Sequence, residues 1–167
     1  MKILVLNGPN LNLLGVREPE IYGKLTLDEV NREIAGYALT LNEERPEGSQ
    51  PLELFFYQSN HEGILVDTIQ NARRTYEGII YNPGAHTHYS YALRDAIASI
   101  SIPVVEVHLS DINSREGFRS LSVIKDVCIA QCAGQHVGSY KEAVDIMVAY
   151  LDRKQAAAVT GAEESHG

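Results

Sequence analysis

The sequence predicts an α/β domain built on a five-stranded, doubly wound parallel sheet in the order 2-1-3-4-5. Three observations predict it. Five short apolar runs, at residues 2–6, 52–57, 78–81, 104–107 and 127–131, alternate with stretches whose apolar residues recur at helical spacing. The runs are apolar almost throughout rather than alternating, which suits strands covered on both faces. With 167 residues and no internal repeat, the chain has the size of one domain with a substantial core.

Each element has its own signal. Residues 2–6 form an apolar run closed by Asn-Gly-Pro, a turn sequence. Thr26 and Glu29 make a capping box ahead of Leu27, Val30, Ile34, Tyr37 and Leu41, so a helix runs from there to just before Pro46. Residues 45–51, RPEGSQP, are a polar excursion before the strand LELFFY at 52–57. Ser59 and Glu62 form a second capping box, opening a helix with Ile64, Leu65, Thr68, Ile69 and Ala72 on one side. After the short strand at 78–81, a helix from about Ser90 to Ser99 turns Leu93, Ala96 and Ile97 inward. Pro103 precedes the fourth strand, and residues 127–131 are the fifth. Ser139 and Glu142 make a third capping box before Tyr140, Val144, Met147 and Leu151. Residues 1–154 are thus expected to be a single domain, and the Ala-rich, then acidic, 155–167 a flexible tail. The strand order is that of flavodoxin-like folds.

Composition bounds the function. A net charge of −8 argues against non-specific nucleic-acid binding, which needs a basic face, but not against an anionic small-molecule substrate, since a few arginines can dominate a pocket. A hydrophobic share of 44% and a charged share of 22% are ordinary for a globular protein. No apolar stretch approaches the roughly 20 residues that span a bilayer, and no signal-peptide pattern opens the chain, so a cytoplasmic location is expected. Cys128 and Cys132 read as buried thiols rather than a disulfide or a metal pair.

The longest connection, residues 7–23, reads NGPNLNLLGVREPEIYG. Connections in compact domains mostly run about four to six residues, and a longer one is commonly a working loop. Leu11, Leu13, Leu14, Val16 and Ile21 anchor it too well for a disordered insertion, while Asn7, Asn10, Asn12, Arg17, Glu18 and Tyr22 equip it for chemistry. Ligands in doubly wound sheets bind beyond the carboxyl ends of the strands, where the order reverses. Two further polar clusters fall at such ends: Asn82-Pro83-Gly84-Ala85-His86-Thr87-His88 after strand three, and Glu106-Val107-His108-Leu109-Ser110, running on to Arg115 and Arg119, after strand four. Strands one, three and four are neighbours in this order, so the three clusters share one edge.

Singly, each cluster has a plain structural reading. Asn-Pro-Gly is a turn sequence, His86 and His88 serve equally as surface histidines or caps, and Arg115 and Arg119 as a solvated face. Glu106 and His108 share one side of a strand and could simply hydrogen-bond. It is their convergence that favours a site. A zinc centre from His86, His88, Glu106 and His108 is the sharpest competitor; the absence of H-E-x-x-H and of a Cys pair, and the nearby arginines, stand against it. Neither a P-loop nor a G-x-G-x-x-G follows strand one. A binding module for a small carboxylate is the non-enzymatic alternative, and the paired Tyr22 and His108 at different strand ends disfavour it.

At these residues the sequence resembles the type II 3-dehydroquinate dehydratases of the shikimate and quinate pathways. N-G-P-N-L-N-x-L-G-x-R-E-P-x-x-Y-G at 7–23 matches the family's first signature. N-x-G-x-x-T-H at 82–88 with A-L-R-D-A at 92–96 resembles the second, and E-V-H-L-S with R-E-x-F-R at 115–119 the third. The resemblance spans residue 1 to about 151. It implies a flavodoxin-like fold, a homododecamer arranged as a tetramer of trimers, and no metal or organic cofactor. The implied reaction is reversible anti elimination of water from 3-dehydroquinate to 3-dehydroshikimate through an enolate.

By the same resemblance Tyr22 is the base and His108 the acid, Arg17 activates Tyr22, Asn10 helps hold a water for the enolate, and Glu106 orients His108. Asn82, His88, Asp95, Leu109, Ser110 and Arg119 match substrate contacts, with Arg115 assisting. Physically, a free phenol of pKa about 10 is a poor base near neutrality, and an adjacent guanidinium in a closed pocket favours tyrosinate. The mechanistically different type I enzymes use a lysine Schiff base, and the lysines here lie outside the three clusters apart from Lys24 on the loop's flank. Against the family pattern, Leu121 and Gly117 are departures near the arginines, Gln135-His136 replaces a glycine-rich turn, and residues 45–51 look long.

Overall fold

The structure, a computed structural model, describes residues 1–16 and 23–164, with the side chains of Asn113 and of 159–164 left aside. Among the described residues five parallel strands form one sheet: β1 (Lys2–Asn7), β2 (Glu53–Gln58), β3 (Gly78–Asn82), β4 (Val104–His108) and β5 (Ala130–Ala133). Their order is β2-β1-β3-β4-β5, as the sequence predicts. Four α-helices cover it: α1 (Leu27–Glu44), α2 (Glu62–Ala72), α3 (Tyr91–Ala98) and α4 (Val137–Glu164).

Strand parity divides the core in two. Ile3, Val5, Ile80, Val105 and Val107 pack with Val30 and Ile34 of α1 and with Tyr140, Val144 and Met147 of α4. Leu4, Leu6, Ile79, Tyr81 and Val104 pack on the other face with Leu65 and Ile69 of α2 and Leu93 and Ile97 of α3. Ile3, Ile34, Ile69 and Leu93 are completely buried, each worth roughly 1.5–3 kcal/mol relative to exposure. Glu106 and His108 share the parity of Val104, and Asn7 and Asn82 that of Val5 and Ile80. The two polar sets therefore leave the sheet on opposite faces and meet at its carboxyl edge.

Capping decides several boundaries. Thr26 and Glu29 form the reciprocal box expected at the start of α1, Oγ1 accepting from Glu29 N and the Glu29 carboxylate accepting from Thr26 N. The other two boxes do not form. Ser59 Oγ accepts from His61 N at 3.0 Å, a local turn, so α2 begins after His61 and not after Ser59. Helix α4 starts two residues before Ser139, whose hydroxyl accepts from Gln135 N while Glu142 takes the Gln135 amide. Strand β5 lies three residues later than predicted, because residues 125–127 close a 3-10 turn. Residues 155–164, in the segment expected to be a flexible tail, continue α4, whose buried side chains end at Leu151 and which is exposed over residues 153–158. Cys128 and Cys132 are free thiols. No helix among the described residues is long and apolar enough to cross a membrane.

Candidate active site

The loops after β1 and β3 interlock. Gly8 N donates to Asn82 O at 2.7 Å, and a Cβ on Gly8 would stand 2.6 Å from Pro83 O. Gly84, at φ +56°, would place one 3.0 Å from Pro9 O. Only glycine allows this mutual approach. Beside it Asn10 takes a left-handed conformation, φ 66°, tolerated by asparagine, and its N–H donates to Asn60 Oδ1 at 2.9 Å. These loops and the connection after β4 enclose a cleft of about 930 Å³ at the carboxyl ends of β1, β3 and β4.

Of the residues singled out in the sequence, Asn10, Asn82, His88, His108, Leu109, Ser110, Arg115 and Arg119 line this cleft together. Glu106 lies beneath it, wholly buried, with an oxygen 2.7 Å from His108 Nε2. Arg17 and Tyr22 lie outside the described residues. Asp95 stands apart: it is on α3, its side chain 80% exposed and 3.8 Å from Arg94. His88 Nδ1 is 2.7 Å from the Leu121 carbonyl, which can only accept, so Nδ1 carries a proton and a neutral His88 presents Nε2 as an acceptor. The Phe118 ring meets the His88 ring edge-on at 5.7 Å, and the Arg119 guanidinium lies 5.7 Å from the Phe118 centroid. Arg115 donates to Ser110 Oγ at 3.0 Å. Among the described residues no three His, Cys, Asp or Glu side chains converge as metal ligands.

The His108–Glu106 pair rests on a cradle of Thr87, Ser122 and Gln131. Thr87 Oγ1 is 2.5 Å from Glu106 Oε1, Ser122 Oγ 2.9 Å from both carboxylate oxygens, and Gln131 Nε2 2.8 Å from Oε2. Glu106 and Gln131 are register partners on β4 and β5, which sets their side chains abreast. Burial pushes the Glu106 carboxyl up, but the hydrogen bond from His108, the His108 charge and the Thr87 and Ser122 hydroxyls outweigh it and hold the group below the usual carboxylate range. An ionised carboxylate only accepts, so Nε2 of His108 bears a proton in either charge state. Nδ1 is therefore the ring nitrogen left free to gain or lose a proton. Thr87 had a signal in the N-x-G-x-x-T-H pattern. Gln131, a polar residue closing an apolar run, was the other visible clue.

The sequence profile of the family described as Dehydroquinase class II matches residues 1–148. The chain belongs to this family. It is 50% identical over 154 residues to the 3-dehydroquinate dehydratase of Carboxydothermus hydrogenoformans, covering 92% of this chain and 94% of that one. The crystal structure of the type II dehydroquinase from Butyrivibrio crossotus superposes with a TM-score of 0.80 at 48% identity, over 88% of this chain and 97% of its own. That of the Propionibacterium acnes type II dehydroquinase gives 0.79 at 34% identity, over 87% and 94%.

Proposed function

We propose that this chain is a 3-dehydroquinate dehydratase, a hydro-lyase of the shikimate or quinate pathway, working through proton transfer alone. The observation that carries the reading is the buried His108–Glu106 pair opening onto a cleft with Arg115 and Arg119 on its wall. The substrate is an anionic ring bearing a ketone and hydroxyls, and that wall suits its carboxylate. Tyr22, as tyrosinate beside Arg17, removes the proton next to the ketone, and the electron pair becomes an enolate. Asn10 holds the water that donates to the enolate oxygen. Collapse of the enolate expels the hydroxyl, which leaves as water with the proton from His108 Nδ1. Glu106 keeps the opposite nitrogen engaged and offsets the imidazolium charge.

Asn82, His88, Leu109, Ser110, Arg115 and Arg119 hold the substrate. Asp95, outside the cleft of its own chain, is assigned to the cleft of a neighbouring copy in the expected dodecamer, a tetramer of trimers. The reading needs no metal or organic cofactor and places the enzyme in the cytoplasm, in keeping with the free Cys128 and Cys132 thiols. The test is incubation with 3-dehydroquinate while the ultraviolet absorbance of the conjugated enone product is followed. Absorbance should rise equally with and without EDTA, and borohydride should not inactivate the enzyme. Binding without any rise would favour the carboxylate-binding module. Light scattering should give the mass of a dodecamer.

A further inference from the structure

A second buried polar chain ends at the same cleft. Tyr140, in the first turns of α4, is fully buried. Its hydroxyl lies 2.6 Å from Asn7 Oδ1 and 2.8 Å from Asn82 Nδ2. Asn7 and Asn82 are register partners on β1 and β3 and point to the same face of the sheet, so one phenol from α4 reaches both.

The direction of the bond between Asn82 and Tyr140 is determined. Gly84 N–H, which can only donate, lies 3.1 Å from Asn82 Oδ1, so the amide oxygen of Asn82 faces Gly84 and its NH2 faces Tyr140. The Tyr140 oxygen accepts there, and its single proton goes to Asn7 Oδ1. Burial raises the phenol far above its ordinary range, so that proton stays in place. Tyr140 occupies one N–H of the Asn82 NH2; Asn82 also lines the cleft. At the far end Asn7 Nδ2 is buried and, among the described residues, has no partner. The chain is rich in donors and short of acceptors, and an unpaired buried donor costs stability.

We infer that Tyr140 is a positioning residue: through the hydrogen bond it accepts, it fixes the Asn82 carboxamide so that its second N–H meets an oxygen of the bound ring, a hydroxyl or the carboxylate. This rests on the proposed function for the identity of the ligand. The contact is made alike to substrate and transition state, so it belongs to KM and leaves kcat alone.

Tyr140→Phe removes the hydroxyl and keeps the ring. KM for 3-dehydroquinate should rise roughly five- to tenfold, the loss for one neutral hydrogen bond, with kcat within about twofold. Asn82→Ala should raise KM at least as much, and Tyr140→Phe added to it should raise KM no further. Asn7→Leu, which cuts the far end while leaving the phenol, should raise KM by roughly two- to threefold and serves if Tyr140→Phe does not fold. An unchanged KM in these variants, or effects that multiply in the double variant, overturns the inference. Nitrogen-15 spectra read the same contact without turnover: the Asn82 side-chain NH2 signals should move and exchange faster with solvent in Tyr140→Phe. Unmoved signals overturn the inference whatever the activity, whereas moved signals in a protein that does not dehydrate 3-dehydroquinate sink only the functional reading.

Discussion

Replacing Glu106 by glutamine separates the charge of that residue from its shape. Gln131 faces Oε2, and its amide can turn to present oxygen to the new NH2, while Ser122 can accept where it donated. The oxygen at the Oε1 position keeps His108 and Thr87. The hydrogen-bond pattern survives and the negative charge does not. Hydrogen bonds to charged groups contribute roughly 1.5–3 kcal/mol against 0.5–1.5 for neutral ones, and charge centres about 4 Å apart attract by about 4 kcal/mol at an effective dielectric of about 20. Allowing for solvent and relaxation, an imidazolium at His108 loses about 2–3 kcal/mol of support. At about 1.4 kcal/mol per tenfold, kcat should fall roughly 30- to 150-fold. The enone absorbance assay gives kcat and KM together, and KM should move less than about threefold, since Glu106 is buried beneath the cleft and does not line it. A Glu106→Gln enzyme that keeps kcat within about threefold would refute the role given to the carboxylate.

Other expectations follow from the same geometry. Tyr22→Phe should lose nearly all turnover and still bind substrate by calorimetry; a comparable kcat removes Tyr22 as the base. Arg17→Ala should lower kcat far more than Val16→Ala, and equal effects would count against a role for Arg17 in activating Tyr22. Glu106 is held below the usual carboxylate range in the folded chain, so the unfolded chain binds the extra proton first on acidification. Its contribution is present above about pH 4.3 and is lost as pH falls towards and through the folded value, and melting curves from pH 6 to pH 3 should show a steeper loss for the native chain than for Glu106→Gln. His86 is 6% exposed, and among the described residues its Nδ1 has no partner. His86→Phe should therefore raise the unfolding free energy by about 1 kcal/mol in urea, and a loss of more than that would show that the imidazole has a partner.

The sheet was legible because its signal is redundant. Five apolar runs, helical periodicity between them and a chain of single-domain length agree on one topology, and a strand displaced by three residues does not alter it. The first helix start was legible because both halves of the Thr26–Glu29 box form. The Ser59 and Ser139 boxes share that spacing but spend their hydroxyls on His61 N and Gln135 N, a choice made by loop geometry that spacing does not encode. In the site, the residues on the cleft wall were found because polar side chains at strand ends stand out. The cradle was harder. Ser122 looks like any loop serine, and Tyr140 sits at an apolar helical position where an aromatic ring is ordinary core. Only the fold brings them to Glu106 and to Asn82. Asp95 shows the converse, a residue matched by motif that lies away from the cleft of its own chain.

The central claim is that the strand-end cleft dehydrates 3-dehydroquinate with His108 as the proton donor. Its most direct test is the turnover of His108→Gln, followed by enone absorbance at saturating 3-dehydroquinate. General acid catalysis is worth roughly 10²- to 10⁴-fold, and kcat should fall by that much while substrate binding persists. A kcat within about threefold of the native enzyme would contradict it.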